Sequence, residues 1–282
     1  MTDLSQAPST LAQALRAAAA LGVDRLDAQL LLLQVLQRPV HERAWLLAHD
    51  GDALPEPAWA AFASLCARRA AGEPAAYLLG EKEFHGLALK VDARVLVPRP
   101  DTETLVEWAL EVLRERKAPA VLDLGTGSGA IALALQQARP DAHVDAVDAS
   151  VDALAVASEN GRRLGLAVRF AQTDWLAGAA AGYDLIVSNP PYIAAGDPHL
   201  PALAHEPVAA LVAGADGLDD LRRIVHDAPG HLAAGGWLLL EHGHDQAEAV
   251  RALLAAQGFE DVQHRHDLAG IARCTGGRHA GL

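Results

Sequence analysis

The stretch of this sequence best built for chemistry is Asn189-Pro190-Pro191-Tyr192. Two consecutive prolines hold φ near about −65° and donate no backbone hydrogen bond, so the chain there is rigid. The Asn189 side-chain oxygen and the Pro190 carbonyl are left as fixed acceptors. A planar nitrogen, as in a carboxamide or an exocyclic amine, has a delocalised lone pair and is a poor nucleophile. Two acceptors that take both of its hydrogens orient it toward an electrophilic methyl group and stabilise the positive charge that develops. Tyr192 can pack over the planar group. No strong base is needed before transfer, because the proton leaves afterwards. The blander alternative is a Pro-Pro turn that merely ends a strand.

Such a site must be carried by elements that bring a methyl donor to it. Asp184–Ser188 reads as a buried strand, and Asn189 sits at its carboxyl end, the edge where ligands gather in open α/β sheets. A second apolar strand, Val121–Leu124, runs straight into Gly125-Thr126-Gly127-Ser128-Gly129, and a helix over 130–138 follows. Glycine permits the tight turn and lets backbone N–H groups approach a nucleotide-like ligand. Asp148, at the end of the next strand, offers a carboxylate to ribose hydroxyls. The loop lacks the longer Gly-x-Gly-x-x-Gly spacing of pyrophosphate binders and any P-loop lysine. On its own the loop is thus a weak signal, and S-adenosylmethionine is the expected cofactor, S-adenosylhomocysteine its product, with no metal. A glycine turn made only for packing is the alternative. Trp175 offers a face or edge to adenine, or fills core. Asp123 fixes the loop, or merely ends its strand.

The wider pattern has three parts. Residues 1–72 read as helices only, over 9–21, 24–37, 41–49 and 58–71, with Leu26, Leu30, Leu33 and Leu36 as an apolar stripe. Residues 73–98 read as a linker with a β-hairpin about Gly86; the alternative is an added strand of the main sheet. From 99 to 282 strands and helices alternate. A helix capped by Asp101 or Thr102 runs to Arg116, and strands fall at 121–124, 144–148, 168–171, 185–188, 237–241, 259–263 and 271–275. This spacing predicts an α/β fold, a seven-stranded, mainly parallel, Rossmann-like sheet covered by helices on both faces.

Composition narrows the partners. Hydrophobic residues make up 51% of the 282 and aromatics only 4%, so Leu, Val and Ala must fill the core. The net charge is −13, nearly all of it beyond residue 72. Sequence-independent nucleic-acid binding depends on Lys and Arg, so a free DNA or RNA substrate is not expected. Cys66 and Cys274 have no CxxC partner. Glu241-His242-Gly243-His244 and His264-Arg265-His266 lack metal-ligand spacing and read as a strand-end loop and a solvated strand. With neither a leader pattern nor a membrane-length apolar run, a monomer in a reducing cytoplasm is expected, without membrane association.

At these residues the chain resembles the protein-(glutamine-N5) methyltransferases of peptide chain release factors, the PrmC or HemK family. The resemblance is carried by Gly72-Glu73-Pro74, Gly80 to Phe84, Val97-Pro98-Arg99-Pro100-Asp101-Thr102-Glu103, Asp123 to Ile131, Ser188 to Ile193, and Leu240-Glu241-His242-Gly243. The 98–103 run is the most discriminating, since many amino-methyltransferases share Asn-Pro-Pro-Tyr. The resemblance implies a helical substrate-recognition domain, a hairpin linker and a class I methyltransferase domain. It implies cofactor contacts from Gly125, Thr126, Gly127, Ser128, Gly129, Asp148, Trp175 and Asn189. It also implies that Asn189, Pro190, Pro191 and Tyr192 bind the glutamine of a class 1 release factor's Gly-Gly-Gln motif. It places Arg99 to Glu103 near the reaction site without a chemical role. Two departures stand out. The family's Asp-x-Arg-Phe/Tyr-Glu-Pro run reads Leu203-Ala204-His205-Glu206-Pro207 here, after a shorter loop, and 276–278 reads Gly-Gly-Arg. The rivals are amino-methylation of adenine N6 or guanine N2, which calls for a basic target-reading region, and a non-catalytic scaffold that binds the cofactor.

Overall fold

A computed structural model describes residues 9–281. The chain divides between Glu81 and Lys82 into two compact units. In the first, α1 (Leu11–Ala20) starts where the Thr10 hydroxyl accepts from the Gln13 N–H, and α2 (Arg25–Val35) where Asp24 accepts from the Leu26 N–H. Then come α3 (Arg43–Ala48), α4 (Glu56–Ala70) and α5 (Ala75–Leu79), the last stopped by Gly80 in the left-handed region. The buried face of α2 differs from the expected stripe. Ala28, Leu31, Leu32 and Leu33 are buried, whereas Leu26 is exposed, because α2 packs against α1, α4 and α5 on that side. A run of four leucines offers two stripes, and packing selects between them.

A hairpin of β1 (Glu81–Phe84) and β2 (Leu87–Lys90) follows, all but its first residue in the second unit. It is a separate two-stranded sheet rather than an added strand of the large one. Its inward residues Phe84, Leu87 and Leu89 join the core beneath α6 (Glu103–Val112), alongside Leu105, Trp108 and Ala109. A 3-10 turn, Pro100–Thr102, precedes α6, and neither expected cap forms: the Thr102 hydroxyl makes no cap bond, and Asp101 pairs with Arg273 at 3.3 Å. Both side chains are engaged elsewhere. The helix also ends before Arg116, whose guanidinium turns to Asp184 and the Gly235 carbonyl.

Thereafter β3 (Ala120–Leu124), α7 (Ala130–Ala138), β4 (His143–Asp148), α8 (Val151–Leu164), β5 (Arg169–Gln172), β6 (Tyr183–Ser188), α9 (Asp219–Asp227), β7 (Leu232–Glu241), α10 (Ala247–Ala256), β8 (Glu260–His266) and β9 (Ala272–Arg278) follow. The seven strands lie in the order β5-β4-β3-β6-β7-β9-β8. The first five are parallel, and β9 runs antiparallel to both neighbours. Val121, Leu185, Val187 and Leu239 face one core beneath α6 and α7; Leu122, Leu124, Ile186, Leu238 and Leu240 face the other, with α9 and α10. This alternation is what a sheet buried on both faces requires. It aligns the carboxyl ends of β3, β4, β6 and β7 along one edge.

Candidate active site

At the β3 end, Gly125, Gly127 and Gly129 all have positive φ, and Gly129 opens α7. A Cβ on Gly125 would stand 3.1 Å from the Trp175 ring, so only glycine fits there without displacement. Asp123 is fully buried beneath the loop. Its Oδ2 accepts from the Thr126 hydroxyl (2.6 Å) and the Ala132 N–H (3.2 Å), while Oδ1 has no partner. Between the two readings of Asp123, the geometry selects the one that fixes the loop. Burial pushes its carboxyl up to about 7. Asp148 receives the Gly127 N–H at 2.9 Å and the Ser150 N–H at 2.8 Å, and each oxygen keeps a further acceptor direction.

Gly125, Gly127, Asp148, Trp175, Asn189 and Pro191 line one cavity of about 500 Å³, together with Asp174 and Asp220. That is the size of a small-ligand site. Trp175 is placed both at the cavity wall and against the core. Its ring lies against Gly125 and lines the cavity, and it packs against Leu122, Leu124 and their neighbours. Its indole N–H donates to Asp220 Oδ1 at 3.0 Å, and burial raises the Asp220 carboxyl. Thr126 and Ser128 are buried, with the Thr126 hydroxyl turned inward to Asp123.

At the β6 end, Asn189 Nδ2 donates to the Thr102 hydroxyl at 3.3 Å. The Tyr192 phenol donates to Glu241 Oε1 at 3.4 Å, and burial raises the proton affinity of both. The Tyr192 carbonyl receives Gln246 Nε2 at 3.0 Å, and Gln246 Oε1 receives the Gly243 N–H. Gly217, at φ 74°, lies so close that a Cβ would stand 2.2 Å from the Tyr192 carbonyl oxygen. The tetrapeptide is thus held at the Tyr192 carbonyl by the Gln246 side chain and by the close approach of Gly217.

Three residues at or beside this edge were not singled out for these roles. Glu206, in the loop after Tyr192, is 5% exposed; it accepts from the Val97 N–H at 3.0 Å and pairs with Arg99. It thereby ties the 97–103 run to that loop, although the family's arginine is absent. Asn160, wholly buried on α8, accepts from the Lys90 N–H and donates to the carbonyls of Lys90 and Ser128. It joins the hairpin to the glycine loop. Glu241, buried at the end of β7, accepts from the Tyr192 phenol. For Glu241 the available signal was a charge at the end of an apolar strand; Asn160 lies in the polar run Ser158 to Arg163, where nothing local marks it as buried. The histidines singled out in sequence do not converge on the cavity: His242 is buried and bonds to Thr275 and the Gly243 carbonyl, and His264 stacks edgewise on His266.

Five parallel strands, a glycine loop at the β3 end, a carboxylate at the β4 end and a rigid Asn-Pro-Pro-Tyr at the β6 end define a class I, Rossmann-like methyltransferase. Residues 102–263 match the methyltransferase small domain family, and residues 6–80 match the PrmC N-terminal domain. A release factor glutamine methyltransferase of Bordetella pertussis is 54% identical over 260 residues, covering 91% of this chain and 95% of that protein. One of Burkholderia pseudomallei is 47% identical over 291 residues, covering all of both. The chain belongs to the release factor glutamine methyltransferase family, and is an S-adenosylmethionine-dependent enzyme. In fold it is similar to the Thermus thermophilus 16S rRNA methyltransferase RsmC, solved with AdoMet and guanosine. That match has a TM-score of 0.52 and 21% identity, and covers 70% of this chain and 49% of that one. Among the described residues no helix is long and apolar enough to cross a membrane.

Proposed function

We propose that this chain methylates the side-chain N5 of the glutamine in the Gly-Gly-Gln motif of class 1 release factors. The relatives' names support the substrate, and the residues at the sheet edge support the chemistry. The observation that carries the reading is the hydrogen bond from Asn189 Nδ2 to Thr102. With the nitrogen end of this carboxamide engaged, Oδ1 is the end left to accept.

Bound S-adenosylmethionine would supply an electrophilic methyl on a sulfonium. Gly125, Gly127, Asp148 and Trp175 would hold it, with Thr126, Ser128 and Gly129 shaping the loop and Asp174 and Asp220 adding acceptors along the cavity. The Asn189 oxygen and the Pro190 carbonyl would take the two amide hydrogens of the glutamine. Pro191 keeps the turn rigid, and Tyr192 packs on the amide plane. In the product the nitrogen carries a methyl in place of one hydrogen, whose proton passes to solvent. The scheme needs no metal.

In this reading residues 1–72 recognise the release factor, 73–98 link, and 99–282 carry the reaction. The chain acts as a monomer in the cytoplasm, where its two free buried thiols suit a reducing compartment. Purified chain, labelled cofactor and a release factor should give label on the Gly-Gly-Gln glutamine, and a Gln-to-Ala factor should give none. Label on DNA or RNA instead would overturn the substrate assignment.

A further inference from the structure

The reaction edge holds a carboxylate to which the scheme above gives no task. Glu241 ends β7 after Trp237-Leu238-Leu239-Leu240 and is 1% exposed. Its Oε1 receives the Tyr192 phenol, while its Oε2 is buried with no hydrogen-bond partner. Leaving a carboxylate oxygen unpaired inside a protein costs stability, and an apolar or amide residue would cost less. A carboxylate placed there at that cost calls for a role beyond packing.

Thr102 supplies one. A hydroxyl has a single proton and two acceptor directions. Asn189 Nδ2 fills one of those directions, so the Thr102 proton must go elsewhere, and its hydroxyl acts on Glu241 as a hydrogen-bonding group that favours the ionised carboxyl. An ionised carboxylate can only accept. With the Thr102 proton directed to Glu241, donation would run from Asn189 to Thr102, and from Thr102 and Tyr192 to Glu241. Were Glu241 the donor, Thr102 would donate to Asn189 Oδ1, and the Asn189 NH₂ would face the substrate NH₂, donor against donor.

We propose that Glu241 is a positioning residue for methyl transfer, the shared acceptor that makes Thr102 and Tyr192 donors and so turns the oxygen of Asn189 toward the substrate amide. The inference rests on the reading of Asn189 as the amide acceptor. It also gives the 99–103 run a task, because Thr102 is the link.

The groups facing Glu241 are Arg273 and Cys274 of β9, Asp101 and Thr102 of the turn before α6, and Tyr192. Burial raises its carboxyl to about 7, against the pull of Thr102 and Arg273. Below that value the group carries a proton and can donate; above it, it only accepts. The turnover of the wild-type chain therefore climbs as pH rises from about 6 to 8.

The test compares Glu241→Gln, Thr102→Val, Thr102→Ser and the Glu241→Gln/Thr102→Val double variant on a release factor. At pH 8 the first two should lose about tenfold or more in kcat with cofactor Kd little changed, while Thr102→Ser keeps kcat. The double variant should be no worse than either single, since both break one chain of bonds. The pH limb should vanish in Glu241→Gln. Glu241→Gln with wild-type kcat and an unchanged limb, or losses that multiply, would overturn the proposal. Nitrogen-15 NMR of the Asn189 side-chain amide, identified by its loss in Asn189→Ala, reads the chain without substrate. Its signal should move in Glu241→Gln and Thr102→Val, and an unmoved signal counts against the role of Glu241. A wild-type chain that fails to label any release factor sinks the substrate reading instead, and the NMR result still decides the inference.

Discussion

The two halves of the sheet edge are built from different materials. At the β3–β4 end the cavity is shaped by backbone: three glycines with positive φ, N–H groups pinned by Asp148, and a buried Asp123 below. At the β6–β7 end it is shaped by side chains, with Asn189, Thr102, Tyr192 and Glu241 meeting from three separate stretches of chain. Backbone presents donors of fixed type and cannot be reversed. A carboxamide can be turned end for end, so the side-chain half needs partners that dictate its direction.

Substitutions can break the two halves apart. The largest effect is expected from Asn189→Ala, which should lower kcat/KM by about a hundredfold or more, as loss of a group aimed at developing charge does. Titration calorimetry should find the cofactor still bound; full methyl transfer by this variant would refute the acceptor role. Next comes Asn160→Ala, which strands the Lys90 N–H, the Lys90 carbonyl and the Ser128 carbonyl. Urea unfolding should show a loss of about 2–4 kcal/mol. A loss within error would mean that the glycine loop stands without the hairpin. Gly125→Ala forces a Cβ against Trp175 at positive φ, and should weaken cofactor binding by about tenfold while leaving the Asn189 amide signal in place.

The smallest effect concerns pH. Asp123 binds its proton more tightly folded, near pH 7, than unfolded, near the ordinary carboxylate value of about 4. Its contribution to stability is therefore fully present below pH ~4 and is lost as pH rises through 7. Asp123→Asn removes that dependence. Its melting temperature relative to wild type should gain on the order of a few degrees between pH 5 and pH 8, as followed by calorimetry. A pH-independent difference would show that Asp123 titrates normally.

The backbone half was the more legible in sequence. A strand, a glycine loop, a helix and the next strand's acid are contiguous, and local rules read contiguous patterns well. The α7 expectation over 130–138 coincides with the helix observed. The side-chain half was legible only at Asn189-Pro190-Pro191-Tyr192. Thr102 read as a helix cap, because its type and place suit one equally well, and nothing local reveals a partner 87 residues away. Glu241 read as part of a histidine cluster, though a charge ending three leucines was the better signal. Glu206 marked a departure from a pattern, and only the fold shows it reaching Val97. The α5 helix was missed because five residues carry too little periodicity to register.

The placement of β9 has a consequence for the order in which the enzyme comes into being. It follows β8 in sequence yet lies between β7 and β8, with Glu241 opposite Cys274. As the chain leaves the ribosome, β3 through β7 can pair at once, and the cavity for the methyl donor can close around them. The outer edge of β7 then stays bare, and Glu241 stays wet, until residues 272–278 emerge. A nascent chain halted just short of β9 would bind its cofactor without being able to use it.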